Sequence, residues 1–504
     1  MGFELLRPLR RHATLLAMPA FAFAFALAGC AAGPDFKPPA PPTAQGYLAH
    51  APGATVAAAD VGGGDAQTFE AGSDIPGDWW TLFHSPALSA LVAQALANNH
   101  DLKAAQAALQ VAHEDVLAQR GSFVPAVSAG FNASRQKDPS SALAPVPSNN
   151  AYLYSLFTPQ LAISYTPDLF GLNRRTRETL QAQEQAARFQ MIAAWTTLTS
   201  NVVVAVVQEA SLREQVKATR ELVGLEKESL SILQLRLRKG NASKLDVAAQ
   251  QSQLAQTESS LPPLVKQLVA TQHALAVLVG AFPDQGPAES LTLADLHLPE
   301  KLPVSLPSEL VAQRPDVRQA RANLHAASAA IGIAAAQRLP SLDLTANAGS
   351  TALAISRVFT SGTGFWGVAA SLTAPIFEGG QLMHQERAAK AAYVEAAEQY
   401  RGAVLGAFQN VADTLVALDQ DAKALQSAAR AEHAAKTALD LSQLQLTHGY
   451  IGTFELLAAQ QSYEQARLGL VEARANRFAD TAALYQALGG GWWHHKNLAK
   501  QWSR

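Results

Sequence analysis

Between Asp316 and Ala348 the chain changes its hydrophobic period from that of a helix to that of a strand. Val317, Ala320, Leu324, Ala327, Ile331 and Ala334 fall three and four residues apart, the spacing of one buried helix face. After Pro340 the run Ser341-Leu342-Asp343-Leu344-Thr345-Ala346-Asn347-Ala348 alternates polar and apolar residues without a slip. That period predicts a strand with one wet face and one apolar face. The same unit occurs earlier without a gap. Asp101, Ala105, Leu109 and Pro125 stand where Asp316, Ala320, Leu324 and Pro340 stand, and Val127, Ala129, Phe131 and Ala133 take the places of Leu342, Leu344, Ala346 and Ala348. The chain is an internal duplication whose unit joins a helix to a half-apolar strand.

The order of elements repeats as well. The first strand is expected over residues 126–135 and a second over 152–166, with Leu161, Ile163 and Tyr165 opposite Gln160, Ala162, Ser164 and Thr166. The counterpart of the second is 365–374, where Trp366, Val368, Ala370 and Leu372 alternate with Gly367, Ala369, Ser371 and Thr373. Facing is preserved, although Pro167 and Pro375 show one residue inserted between the copies. Residues 137–150 contain Pro139, Pro145 and Pro147 and little pattern, so a loop is expected there. Residues 172–239 then hold no proline, and Ile192, Trp195, Leu198, Val202, Val206 and Ala210 run at helical spacing. A continuous helix of that length extends about 100 Å at 1.5 Å per residue. Gly240 ends it, and Ser243 is expected to cap a return helix through Gly280 that Pro262 and Pro263 should kink or break. In the second copy a long helix over 381–448 ends at Gly449 and returns from Thr453 to about Leu488.

The ends of the chain read differently. Arg7, Arg10 and Arg11 precede an apolar run over 15–28 that is short for a membrane span, which predicts an export signal over 1–29. Leu27-Ala28-Gly29-Cys30 resembles the bacterial lipobox, so Cys30 is expected to carry a covalent lipid. Ala31, standing where an inner-membrane lipoprotein would have aspartate, implies outer-membrane delivery. Residues 30–84 are rich in Pro, Gly and Ala and suggest a lipid-anchored tether lying over the rest. Within it, Trp79 and Trp80 are expected to anchor the helix that opens at Ser85-Pro86. Residues 85–283 form the first repeat, 284–305 a proline-rich linker, 306–490 the second repeat and 491–504 a flexible tail.

Strands of about ten residues, apolar on one face and small or polar on the other, suit a barrel wall between lipid and water. Four strands cannot close a barrel, and lipid does not tolerate open edges, so other copies of the chain must complete it. Periodicity alone leaves dimer, trimer and tetramer open. The long helices carry Arg213, Glu214, Lys217, Arg220 and Glu221 and must project into water. Alternating strands beside amphipathic helices usually mean a half-buried sheet in a soluble domain. Helix length and duplication argue against that here, since a compact α+β domain has no use for such helices.

Composition narrows the remaining classes. The 504 residues carry a formal net charge of −2 with 16% charged residues, so no basic face points to nucleic acid. Hydrophobic residues make up 48%, too little for a polytopic helical membrane protein. One cysteine excludes an internal disulfide framework and any multi-thiolate metal site. There is no nucleophile elbow, phosphate-binding loop or metalloprotease motif, so neither catalysis nor any cofactor besides the lipid on Cys30 is expected. His494 and His495, beside Trp492 and Trp493, have no third ligand nearby and read as tail residues.

Trp79-Trp80-Thr81-Leu82-Phe83, Arg314-Pro315-Asp316-Val317-Arg318, Ile331-Gly332 and Pro375-Ile376-Phe377-Glu378-Gly379-Gly380 resemble the TolC-like outer-membrane efflux proteins. The branch they most resemble is the NodT-type lipoprotein partners of resistance-nodulation-division pumps. The resemblance implies an α+β membrane protein, a homotrimer with a twelve-stranded outer-membrane barrel, four strands per chain, continued by a periplasmic α-helical barrel. It implies passive export of drugs or toxic compounds, driven by an inner-membrane pump through a periplasmic adaptor protein. A duct for type I protein secretion has a similar tube and is the alternative. The resemblance also assigns roles to the helix returns. Gly240 and Ser243, with Gly449, Gly452 and Thr453, mark tips that narrow the periplasmic entrance and meet the adaptor. Glu455 aligns with an acidic family position ringing that entrance, and Asp246 is its equivalent in the first repeat. Ala458 stands where some members carry a second acid. A solvated helix face is the alternative for both carboxylates.

Overall fold

The computed structural model describes residues 31–495 apart from 41, 45, 51–52, 60, 138, 140–152 and 287–290, together with residue 498. Cys30, the signal segment 1–29 and most of the loop expected after Lys137 lie outside the described residues. In chain order the elements are β1 (Thr68–Ala71), α1 (Pro86–Asn98), α2 (His100–Arg120), β2 (Ala126–Lys137), β3 (Leu153–Tyr165), α3 (Leu172–Arg238) and α4 (Lys244–Leu278). The second copy follows as β4 (Lys301–Val304), α5 (Pro307–Gln313), α6 (Pro315–Ala336), β5 (Ser341–Ser350), β6 (Gly364–Thr373), α7 (Gln381–Thr447) and α8 (Thr453–Ala487). The duplication is kept in element length: α3 and α7 each have 67 residues, and α4 and α8 each have 35.

The chain forms two compact units. The first comprises residues up to Pro38, Leu109–Ala186 and Ala320–Tyr400. Its centre is a four-stranded antiparallel sheet in the order β2-β3-β5-β6. The register puts Val127 opposite Ile163, Ile163 opposite Ala346 and Ala346 opposite Val368, so the apolar positions of all four strands share one face. Asn132, Thr158, Asn347 and Ser371 lie on the other. The apolar face is uncovered: Trp366 is 79% exposed, Val368 75% and Val127 66%. This is the amphipathic wall the alternation predicts, and β2 and β6 are its unpaired edges. A second feature was not legible beforehand. Arg175, whose side chain is 5% exposed, donates to the carbonyls of Ala32 (3.0 Å) and Gly33 (3.3 Å) and to Asp35 Oδ1 (2.8 Å). Phe36 stacks on His325 at 4.3 Å, so the segment after Cys30 is fastened to the start of α3 and the middle of α6.

The second unit comprises Pro39–Ala108, Ala187–Gln319 and Arg401–Arg504. Trp79 and Phe83 are fully buried and Trp80 nearly so, as expected of core anchors. Trp79 stacks on Tyr485 at 5.1 Å, and Trp80 meets Trp195 at 5.8 Å. Each repeat closes its return helix in the same way. Asn99, before α2, donates to Leu278 O at 3.1 Å, while Arg314, before α6, donates to Ala487 O at 2.9 Å. A donor side chain thereby satisfies a carbonyl at each helix C-terminus, where the last turn has no backbone partners of its own.

Two expectations are corrected here. Of the kink or break expected at Pro262 and Pro263, the break is absent, since both lie inside continuous helix α4. Both prolines are exposed, as are Glu258 and Ser259, whose carbonyls lose their helical donors and stand open to solvent. Residues 491–495 are also not a flexible end. Trp492 Nε1 donates to Gln313 O at 2.8 Å, His494 Nε2 lies 2.6 Å from Asp74 Oδ2, and His495 packs against Trp195 at 4.8 Å. Ring packing and hydrogen bonds of the half-buried Trp492, Trp493 and His495 hold this segment beside glycines 489–491.

The tether is likewise built in. Gln67 is fully buried and donates to Pro299 O (3.1 Å) and Thr481 Oγ1 (3.3 Å). Fully buried Arg477 donates to Thr55 Oγ1 at 3.1 Å and to the Asp65 carbonyl. Beside it, burial and the hydrogen bond and charge of Asp480 push Asp421 up to about 7, against the opposing pull of Arg477. Between about pH 4, where a free aspartate titrates, and that value, the native pair holds more protons than the unfolded chain. The pair's contribution to stability therefore falls as pH rises through this window and is flat above it. Amide exchange at Thr55 and Gln67, corrected for intrinsic rate, is expected to quicken as pH rises through that window in the wild type and not in Asp421→Asn; identical profiles would dismiss the pair as the cause.

Candidate functional site: the two helix returns

Both long helices end in the same backbone device. Gly240 has φ +77°; its N–H donates to Leu237 O at 3.0 Å, and Asn241 N–H donates to Arg236 O at 2.8 Å. Gly449 has φ +74°; its N–H donates to Leu446 O at 3.2 Å, and Tyr450 N–H to Gln445 O at 2.9 Å. These are paired Schellman closures. No atom lies within 4 Å of where a Cβ would sit on either glycine, so space does not demand glycine. The left-handed backbone does, at about 1 kcal/mol for any other residue.

The returns differ in how the next helix starts. Ser243 Oγ accepts from Asp246 N–H at 3.1 Å, while Asp246 Oδ2 accepts from Ser243 N–H (2.8 Å) and Oγ–H (2.7 Å). This is a reciprocal capping box. Those bonds hold the Asp246 carboxyl below the ordinary aspartate range, with a further contribution from the Thr453 hydroxyl. In the second return Gly452 occupies the cap and offers no side chain. Glu455 holds the position equivalent to Asp246, is exposed, and brings Oε2 to 3.0 Å from where a Cβ would stand on Gly452. The structure thus brings together Ser243, Asp246 and buried Thr453, and leaves Glu455 facing solvent.

The two returns are tied to each other. Arg236 Nη1 donates to Leu446 O at 3.4 Å, and Leu456 packs with Ala435, Leu439 and Tyr463 in a small core. A cavity of about 210 Å³ remains between the ends of α3 and α7, lined by residues including Ile232, Leu233, Arg236 and Leu446. The two returns also carry exposed apolar side chains that sequence reasoning missed: Tyr450 is 81% exposed, and Leu245 and Phe454 are also exposed. The available signal was positional. Leu245 and Phe454 are both the second residue of a return helix, where an apolar side chain has no helix neighbour to pack against.

Residues 91–281 and 306–490 match the family model described as outer membrane efflux protein. The pyoverdine export outer membrane protein OpmQ of Pseudomonas putida is 31% identical over 421 residues, covering 82% of this chain and 88% of that protein. The probable efflux pump outer membrane protein TtgC of Pseudomonas putida is 30% identical over 488 residues, covering 95% and 96%. Among solved structures, the outer-membrane channel OprN aligns with a TM-score of 0.81 at 26% identity, covering 92% of this chain and 100% of that one.

The unequal caps predict unequal substitutions. Ser243→Ala removes the hydroxyl half of the box, leaving Asp246 only the backbone N–H of residue 243, and is expected to destabilise the first return by about 1 kcal/mol. Gly452→Ser supplies the missing hydroxyl beside Glu455 and is expected to stabilise the second by a few tenths of a kcal/mol. Amide exchange in the first turns of α4 and α8 measures both, and equal responses at the two returns would contradict the difference in their caps.

Proposed function

The chain belongs to the outer membrane efflux protein family, and on that premise we propose that it is the passive outer-membrane duct of a tripartite efflux pump, assembled as a homotrimer. The observation that carries this reading is the four-stranded sheet, apolar on one face, polar on the other and open at both edges. Three copies supply twelve strands, pair every edge and set the polar face around a water-filled lumen. The chain has no phosphate-binding loop to couple energy, so the driving force falls to an inner-membrane pump of the resistance-nodulation-division class. A periplasmic adaptor joins the two. Exposed Leu245, Tyr450 and Phe454 around Gly240 and Gly449 are the apolar surface that an adaptor's helices would cover.

Lipid on Cys30 fits the same arrangement, because Arg175 fastens the residues that follow it. The names of OpmQ and TtgC favour small-molecule cargo over a secreted protein, with selection left to the pump. Three Glu455 carboxylates around one axis repel each other and attract cations, which makes an entrance ring. Asp246, committed to its capping box, contributes to holding the tip and not to that ring.

In planar bilayers, Glu455→Gln is expected to weaken block by divalent cations several-fold, and Asp246→Asn is not; unchanged block in Glu455→Gln would return that residue to a solvated helix face. Cysteines placed at Gly240 and Gly449 are expected to cross-link the adaptor in cells. Capture only by an ATP-driven exporter's partner would move the chain to protein secretion.

A further inference from the structure

The apolar face of β2 does not stay apolar to its end. Val127, Ala129, Phe131 and Ala133 lie on that face, and strict alternation places Arg135 and Lys137 there too, opposite Ser155 and Leu153 of β3. Both cations are exposed, and neither has an ion-pair partner among the described residues. They sit at the loop end of the strand, away from the end that joins α2. Because the charged helices occupy the periplasm, that loop end faces outward. From Val127 to Lys137 the strand rises about 33 Å at 3.3 Å per residue. At the usual tilt near 40° this is about 25 Å along the membrane normal, the height of a barrel's apolar band. Deeper on the same face Phe131 stacks on Phe157, with ring centroids 6.5 Å apart.

The charge balance at this end is one-sided. The only acidic residue in 138–152 and 351–363 is Asp138, while Arg357 adds a third cation to the outer end. A cation pointing into hydrocarbon is costly, and one at the interface is not if it meets an anion. We infer that Arg135 and Lys137 form a binding site for the phosphate groups of lipopolysaccharide in the outer leaflet. Arg135 offers a planar fork that matches phosphate oxygens, and Lys137 a point charge one pleat higher. Phe131 and Phe157 lie beneath, within the apolar band. The inference rests on the sheet being an outer-membrane wall and goes beyond the duct proposal, which concerns the opposite face.

The test titrates full-length protein in detergent with bisphosphorylated lipid A, with its dephosphorylated form and with phosphatidylglycerol, and reads bound lipid by native mass spectrometry. Lipid A is expected to bind about tenfold or more tighter than either competitor. The double variant R135Q/K137Q is expected to lose that preference and R135K/K137R to keep it. If the glutamine variant fails to assemble, raising salt to about 0.5 M on wild-type protein gives the same test, because the preference must shrink as the charges are screened. A preference unchanged by both the glutamine variant and salt overturns the site. Phosphatidylglycerol binding as tightly as lipid A overturns the lipopolysaccharide assignment. Ion conduction by wild-type protein is measured separately, so failure of this site and failure of the duct reading remain distinguishable.

Discussion

Every backbone N–H and C=O along the outer sides of β2 and β6 needs a partner, and lipid offers none. In one chain the sheet has four strands and two unpaired edges, with an apolar face on which Trp366 and Val368 stand three-quarters or more exposed. In water the edges would be tolerable and the face would not. In lipid the reverse holds. In the proposed duct, closure by further copies satisfies both. Prolines at 125, 167, 340 and 375 bound these strands, and the duplicated hairpins bring their apolar faces together.

The duplication is conserved in geometry more than in residue type. Asn99 and Arg314 do the same work on the carbonyls that end α4 and α8, one with a neutral amide and one with a guanidinium. Gly240 and Gly449 close α3 and α7 with the same pair of backbone hydrogen bonds. One turn later the copies diverge, as Ser243 and Asp246 cap one another while Gly452 leaves Glu455 without that partner. A duplicated scaffold thereby offers one fixed tip and one whose carboxylate faces solvent. The apolar stretch of α3 fits the same logic. By length and composition it is apolar enough to cross a membrane, yet it is 67% buried within the chain, as a core helix is.

Much of this was legible from hydrophobic period alone. Strand positions, facing, the long helices and both returns follow from spacings of two or of three and four, because those spacings reflect local backbone geometry. The glycines at 240 and 449 were legible for the same reason, since a left-handed residue is a local demand. The break that local rules allow at Pro262 and Pro263 is absent, because exposure makes the lost hydrogen bonds cheap. Local rules misread Trp492 and His495, whose partners Gln313 and Trp195 lie far away in sequence. Arg477 and Asp421 gave no sign at all, because burial and a neighbouring carboxylate are properties of packing.

The sequence by itself determined which segments are helix and strand, which strand faces are apolar, that the chain is doubled and that its helices exceed any compact core. It did so because each of these depends on residues within a few turns of one another. Only the tertiary structure decided the register that gathers four apolar faces into one wall, the commitment of Asp246 to Ser243 and the exposure of Glu455. It also decided the docking of residues 31–36 on Arg175 and His325. Those depend on which distant groups share a site, and periodicity carries no information about distance across the fold.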